Sequence, residues 1–127
     1  MSLNREQWQN ATTIYRVGRQ MGMSTRDIQI ALITAMQESG LRNLNYGDRD
    51  SLGLFQQRPS SGWGTPEQIT NPEYATMAFE KGLKQVDGWQ DMPLTEAAQT
   101  VQVSAYPDAY AQWEQQAADL VAANWNS

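Results

Sequence analysis

The chain has 127 residues, with 14 acidic and 9 basic side chains, a net charge of −5, and neither Cys nor His. The absence of Cys and His excludes thiol nucleophiles, Ser-His-Asp triads, His-based zinc sites and iron–sulfur clusters. The acidic balance, without any basic stripe, argues against nucleic acid as a partner, and no apolar run approaches the roughly 20 residues of a membrane helix.

The length indicates one domain, residues 1–127, which can bury a substantial core without metals or disulfides. No basic segment followed by an apolar one is visible, so we see no signal peptide. Residues 1–3 resemble an expression start placed before an excised domain, and we expect any targeting segment to have been removed.

Two helices are predicted in the first third of the chain. Apolar and small residues recur on one face of the first helix at helical spacing: Trp8, Ala11, Ile14, Tyr15, Gly18 and Met21. Gly22 ends this helix. The residues from Ser24 to Asp27 have the pattern of a capping box, which predicts a second helix that runs to about Glu38. Residues 28–37 of this helix are apolar nearly all round, which indicates a buried helix.

Residues 40–64 are rich in Gly, Asn and Asp and have no helical period, which predicts a long loop with a function. The pattern leaves room for a small hairpin within residues 42–56. Further helices are predicted by cap-plus-proline starts and by helical spacing: a short one from Thr65, one from Asn71 to about Val86, one over residues 93–103, and one from Tyr106 to near Trp125. The predicted fold class is therefore mainly α.

Glu38 is the only charged residue between Asp27 and Arg42, and it lies at the end of the predicted buried helix. A carboxylate at the edge of an apolar helix meets apolar walls, which should raise its pKa towards that of a working acid. The alternative is an exposed charge at the helix end, which the helix dipole disfavours. The position therefore predicts a catalytic acid that faces the following loop.

Four short motifs follow one another along the chain: Glu38-Ser39 at a helix end, Gly47-Asp48-Arg49, Gly53-Leu54-Phe55-Gln56, and Gln102 to Tyr106. Glu-Ser followed by Gly-Leu-x-Gln resembles the lysozyme-like fold of soluble lytic transglycosylases and goose-type lysozymes. The Gly-Asp-Arg motif is similar to the goose-type variant in particular, and the last motif lies where the family has an Ala-Tyr-Asn signature. The resemblance covers roughly residues 24–110 and implies a helical, lysozyme-like domain.

The resemblance implies cleavage of the β-1,4 glycosidic bond between N-acetylmuramic acid and N-acetylglucosamine in peptidoglycan, with Glu38 as general acid. A glycosidic oxygen is a poor leaving group until it is protonated, so such an acid is needed. The resemblance also implies an enzyme without cofactor or metal, extracellular or at the cell wall, as a module of a secreted or phage-associated protein. We expect a monomer whose partner is the peptidoglycan glycan strand.

The second catalytic group depends on the product. An inverting hydrolase needs a second carboxylate about 6.5–9.5 Å from the acid to activate water, and Asp48 is preferred over Asp50 because it matches the goose-type motif. Arg49 beside Asp48 would keep that carboxylate ionised. Both aspartates have an alternative as turn residues. A transglycosylase needs no such base, because the muramyl 6-hydroxyl attacks internally to give a 1,6-anhydro product, and both reactions stay open.

The chain departs from the pattern of its relatives at two positions. Arg58 stands where some goose-type enzymes have a further Asp, and Pro107 replaces the family's Asn after Tyr106. Lytic transglycosylases often place a loop Ser against the substrate's N-acetyl group, and Ser51 is the candidate here.

Aromatic and amide side chains near the motifs are predicted to bind the sugar rings, which present apolar faces and many hydroxyls. The predicted substrate-binding residues are Ser39, Tyr46, Ser51, Phe55, Gln56, Trp63 and Tyr106. The alternative for Phe55 and Tyr106 is that they pack the core around Glu38.

Two competing functions belong to other classes. The same scaffold can bind peptidoglycan or chitin oligosaccharides without cutting them, or the chain can be a helical protein-interaction domain that uses its acidic C-terminal half. Residues 48–59 only partly match a calcium-binding loop, because Leu52 and Pro59 occupy positions that need oxygen ligands, so we predict no metal site.

Overall fold

Helices account for all the regular secondary structure in the part of the chain that the structure, a computed structural model, describes: residues 2–102 and 107–125, with only the backbone given at 107 and 108. Six α-helices follow one another: α1 (Arg5–Gln20), α2 (Thr25–Ser39), α3 (Pro66–Ile69), α4 (Pro72–Lys84), α5 (Leu94–Gln102) and α6 (Glu114–Trp125). Three 3₁₀ segments lie between them: Pro59–Ser61, Trp89–Asp91 and Pro107–Trp113. The mainly α fold class is confirmed. None of the described helices is long and apolar enough to cross a membrane.

The predicted helix starts are present. Ser24 and Asp27 form the capping box of α2, each side chain accepting the other's backbone amide. Thr65 caps α3 and Asn71 caps α4, and a proline follows each cap at the first helical position. These bonds satisfy amides that have no partner inside the helix, which is why the local sequence alone fixes the starts.

The helix α2 is the centre of the fold, as its apolar sequence predicts. Residues 30–36 are all buried, and the helix packs against α1, α5, α6 and the 107–113 segment. Each fully buried Ile or Leu contributes about 1.5–3 kcal/mol relative to an exposed one, so α2 is held firmly from several sides. The end of this helix is therefore a rigid platform for a side chain that leaves the core.

The long loop after α2 contains an isolated antiparallel bridge between Leu52 and Gln57. The hairpin that the sequence left room for within residues 42–56 does not form, since the described residues contain no strand. Its physical reason lies in the backbone of the turn. Gly53 and Gln56, with φ values of 80° and 50°, form the turn inside the bridge, and outside it Arg49 has φ 58° and Pro59 begins a 3₁₀ turn, so neither flank continues as a strand.

Two helix ends differ from the predictions. α4 ends at Lys84 rather than near Val86, because the two amides after Lys84 bond to carbonyls three residues back and tighten the chain into a 3₁₀ turn. The last predicted helix was to begin at Tyr106, which lies outside the described residues. The following 107–113 segment is 3₁₀, and the α-helix begins only at Glu114.

Candidate active site

The chain turns away from α2 directly after Glu38. Gly40 lies in the left-handed region with φ 65°, and Leu41 follows with φ 62°. The amides of both residues bond to carbonyls of the last turn and a half of α2, which closes the helix as in a Schellman motif. The side chain of Leu41 is fully buried and fixes the turn to the core. Glu38 thus lies in the last turn of a helix whose end cannot fray.

Helix α1 holds this turn from the other side. The Gln7 side-chain amide donates to the carbonyl of Gly40 at 2.8 Å, and the Asn10 side-chain amide donates to the carbonyl of Leu41 at 2.8 Å. Both side chains are buried, so these bonds satisfy carbonyls that water does not reach freely. The backbone next to Glu38 is therefore fixed by two helices.

Glu38 itself is partly buried and bonded to a tyrosine. The hydroxyl of Tyr110, a fully buried residue of the 107–113 segment, donates to Oε1 of Glu38 at 2.5 Å. Burial raises the pKa of Glu38 above the ordinary glutamate value, and the hydrogen bond from Tyr110, which favours the charged form, offsets part of that rise. The net effect is a carboxyl group that keeps its proton to higher pH than an exposed glutamate.

The tyrosine that contacts Glu38 within the described residues, Tyr110, was not assigned by the sequence motif. The dipeptide Ala-Tyr occurs twice, at 105–106 and at 109–110, and the motif favoured Tyr106. Tyr106 lies outside the described residues, whereas Tyr110 contacts the carboxyl group directly. Tyr110 belongs to the second of these dipeptides, so the repeated dipeptide was the available signal.

A second set of bonds ties the 107–113 segment to α2. Oε1 of Gln37 accepts the indole N–H of Trp113 at 2.9 Å and the side-chain amide of Gln112 at 3.3 Å. Gln37 precedes Glu38, so the segment that carries Tyr110 is anchored one residue from the carboxyl group. The position of the tyrosine therefore does not depend on the Glu38 bond alone.

Ser39 fastens the loop rather than facing outward. Its hydroxyl lies 2.7 Å from the carbonyl of Leu54, to which it can donate, and accepts the amide of Arg42 at 3.2 Å. The side chain is only 8% exposed. The serine of the Glu-Ser motif thus joins the end of α2 to the Gly-Leu-Phe-Gln stretch.

Phe55 lies in the core beneath the loop. It is fully buried, and its ring stacks on that of Phe79 from α4 with centroids 4.9 Å apart. The side-chain amide of Gln102 donates to the Phe55 carbonyl at 2.6 Å. In this position Phe55 offers no exposed face to a sugar ring and supports the apolar surroundings of the site, the alternative that the sequence left open.

The predicted binding residues of the outer loop have different exposures. Tyr46 is 65% exposed, whereas Ser51 is only 8% exposed. The side-chain amide of Gln56 donates to the carbonyls of Tyr46, at 3.2 Å, and Gly53, at 3.1 Å. A Cβ at Gly47 would overlap this amide, which is why glycine is needed there. Gln56 shapes the loop, and Tyr46 presents its ring to solvent.

The two candidates for the second catalytic carboxylate, Asp50 and Asp48, have different contacts. Asp50 accepts Nε of Arg58 at 2.6 Å and the amide of Ser60 at 3.0 Å, and the arginine above all holds the pKa of Asp50 well below its usual range. The ion pair of the loop is thus Asp50 with Arg58, rather than the predicted pair of Asp48 with Arg49. Asp48 is exposed, and its backbone carbonyl accepts the amide three residues on. Within the described residues, no hydrogen bond joins Glu38 to either aspartate.

Helix α4 forms the support of the loop. The side-chain amide of Gln57 donates to the carbonyl of Ala75 at 3.2 Å, and a Cβ at Gly82 would lie 3.2 Å from the Trp63 ring. Trp63 is partly buried and covers the helix at that glycine. The second half of the loop therefore rests on α4.

A scan against protein-family models finds none that matches this chain, and a search of curated proteins finds no match either. Function must therefore be inferred from the geometry around Glu38.

Proposed function

We propose that this chain is a lysozyme-like domain that cleaves the β-1,4 bond after N-acetylmuramic acid in peptidoglycan, as a lytic transglycosylase or a muramidase, with Glu38 as general acid. The observation that carries the proposal is the partly buried Glu38 carboxyl group, held by Tyr110 at the end of a buried helix. In this proposal the protein acts at the cell wall, outside the cytoplasm, as a monomer without a cofactor.

The proposed first step is protonation of the glycosidic oxygen. Tyr110 bonds to Oε1 of Glu38, so Oε2 is the oxygen that holds and delivers the proton. A carboxyl group with a raised pKa is protonated over a wider pH range, and fixed geometry keeps the proton aimed at the leaving oxygen. The sugar then passes through an oxocarbenium-like transition state as the bond breaks.

The second step divides the two reactions. In the hydrolytic route, Asp48 is the better base, because Asp50 already bonds Arg58 and the Ser60 amide and is poorly placed to take a proton from water. In the transglycosylase route the muramyl 6-hydroxyl attacks and no base is required. The exposed ring of Tyr46 supports glycan binding by the loop, since a sugar packs its C–H face on an aromatic ring.

Mass spectrometry of purified peptidoglycan after incubation with the protein tests this function. We expect soluble muropeptides that end either in a 1,6-anhydro sugar, lighter by one water, or in a reducing N-acetylmuramic acid. Chitin oligomers in a parallel reaction show whether the muramyl sugar is required. Peptidoglycan that sediments unchanged, with no soluble fragments, would overturn the proposal.

A further inference from the structure

Glu80 is a buried carboxyl group that the proposed reaction does not use. It is 0% exposed, and neither of its oxygens has a hydrogen-bond partner within the described ranges. The buried residues of α4 that share its stripe are Ala75, Thr76, Phe79 and Leu83. The helical spacing of the sequence alone places Glu80 on this stripe, so an acidic residue at a buried position can be recognised before the structure is known.

The surroundings of Glu80 disfavour its charged form. Burying a carboxylate without hydrogen bonds costs much free energy, whereas burying the protonated acid costs far less. Asp27 of α2, itself only 4% exposed, adds a like charge, and Lys84 at the end of α4 is the opposing positive group. Burial, reinforced by Asp27 and offset in part by Lys84, raises the pKa of Glu80 well above the ordinary glutamate value.

The other elements that pack on α4 do not supply a counter-charge to Glu80. All the charged side chains of α1 are exposed, as are Glu67 of α3 and Glu96 of α5. Arg26 of α2 donates to the backbone carbonyl of Trp89. Proton loss from Glu80 would therefore leave a buried charge that the like charge of Asp27 further disfavours.

Helix α4 is also the support of the candidate active site. Phe79, which precedes Glu80, stacks on Phe55 of the loop. The Ala75 carbonyl binds the Gln57 side chain, and Gly82 lies beneath Trp63. Any change that loosens the packing of α4 reaches the loop beside Glu38 through these three contacts.

We propose that Glu80 is a proton-operated switch: with its proton, α4 stays packed beneath the active-site loop, and loss of the proton loosens α4 and the loop together. Loss of the Glu80 proton therefore sets an upper limit to the pH range of activity, without any change in the protonation of Glu38. Its effect on peptidoglycan cleavage rests on the proposed function, whereas its effect on folding does not.

The sign follows from proton linkage. Between the ordinary glutamate pKa and the raised value, the folded chain binds a proton that the unfolded chain has lost. Stability therefore falls as pH rises through this window, and the unfolding equilibrium constant increases about tenfold for each pH unit. Below the window both states are protonated, and the effect of Glu80 is constant.

Denaturant unfolding across pH in the Glu38→Gln background isolates Glu80, because that background removes the other glutamate with a raised pKa. We expect a steep loss of stability with rising pH, which addition of Glu80→Gln flattens and addition of the exposed control Glu67→Gln leaves intact. Lys84→Gln should extend the steep region to higher pH, since it removes the positive group that lowers the pKa of Glu80, and Lys81→Gln, at a lysine of α4 that is equally exposed but has no such effect on Glu80, should not. Equal slopes with and without Glu80→Gln would overturn the switch.

Infrared spectroscopy provides a second readout if Glu80→Gln does not fold. Within the pH range where unfolding of the Glu38→Gln protein shows the steep loss of stability, this protein should show the carbonyl stretch of a protonated carboxylic acid that addition of Glu80→Met, an apolar replacement of similar length, removes. Identical spectra for the two proteins throughout that range would also overturn the proposal. A chain that folds with this pH dependence but releases nothing from peptidoglycan would refute the proposed function and leave the switch in place.

Discussion

The hydroxyl of Tyr110 donates to the carboxyl group of Glu38 at 2.5 Å, across 72 residues of sequence. The bond joins the 107–113 segment to the end of the most buried helix, and Gln37 anchors the same segment one residue away through Trp113. A tyrosine in this position orients the carboxyl group and also favours its ionised form, while burial acts in the opposite direction. The pKa of Glu38 therefore depends on the balance between burial and the Tyr110 hydrogen bond, which the pH dependence of cleavage measures.

Cleavage should be lost at alkaline pH as Glu38 loses its proton. Only the protonated carboxyl group can donate to the leaving oxygen, so kcat/KM should fall as pH rises through the raised pKa of Glu38. The measurement is the pH dependence of kcat/KM on soluble glycan strands in the Glu80→Gln protein, which lacks the proposed switch. A profile that falls already at the ordinary glutamate pKa would contradict the raised value.

Tyr110→Phe should move that alkaline limb to still higher pH. The substitution removes the hydrogen bond that favours the charged form of Glu38, so the pKa of the carboxyl group rises further. Loss of orientation should lower the maximal rate by about tenfold to a hundredfold. Tyr15→Phe on α1 is the matched control and should change neither quantity. A Tyr110→Phe limb that moves to lower pH would show that the tyrosine acts in the opposite sense.

Ser39→Ala should destabilise the protein through the loop. The Leu54 carbonyl would lose the hydroxyl at 2.7 Å in a buried place, which costs about 1–3 kcal/mol of unfolding free energy. Ser61→Ala, at an exposed serine, should stay within about 0.5 kcal/mol of the parent. Denaturant unfolding of the three proteins provides the comparison, and equal midpoints for all of them would remove Ser39 from the account of the loop.

Asn substitutions at the two loop aspartates should distinguish a carboxylate that activates water from one that only stabilises the loop. If the product has a reducing end, Asp48→Asn should slow its release by about a hundredfold or more, because water activation is lost. Asp50→Asn breaks the ion pair with Arg58 and should cause a smaller loss by loosening the loop. If the product is the 1,6-anhydro sugar, Asp48→Asn should retain nearly full rate. A severe loss in Asp50→Asn alone would assign the base to Asp50.

The parts of the fold that the sequence predicts are those decided by local chemistry. The capping box at Ser24 and the end of this helix near Glu38 depend on neighbouring residues, and the apolar run between them can only be buried. The placement of Glu38 at the edge of the core follows from that run.

The residues that the sequence did not assign are those placed by contacts between distant segments. The choice between two Ala-Tyr pairs depends on how the 107–113 segment lies against α2, which no local pattern decides. The path of the loop is likewise set by left-handed residues such as Gln56 and by long-range bonds to α4. Asp50 therefore pairs with Arg58, and not with its immediate neighbour Arg49.

The central claim is that Glu38 donates the proton that breaks the glycan, and Glu38→Gln tests it most directly. Gln keeps the shape and can still accept from Tyr110, but it has no proton of the required acidity. Release of soluble fragments and sedimentation with purified peptidoglycan are measured in the same tube, with Glu67→Gln as the exposed control. We predict that Glu38→Gln still sediments with peptidoglycan while fragment release falls about a hundredfold or more, as expected for loss of a general acid. Release by Glu38→Gln equal to that of the parent protein would contradict the catalytic role of Glu38.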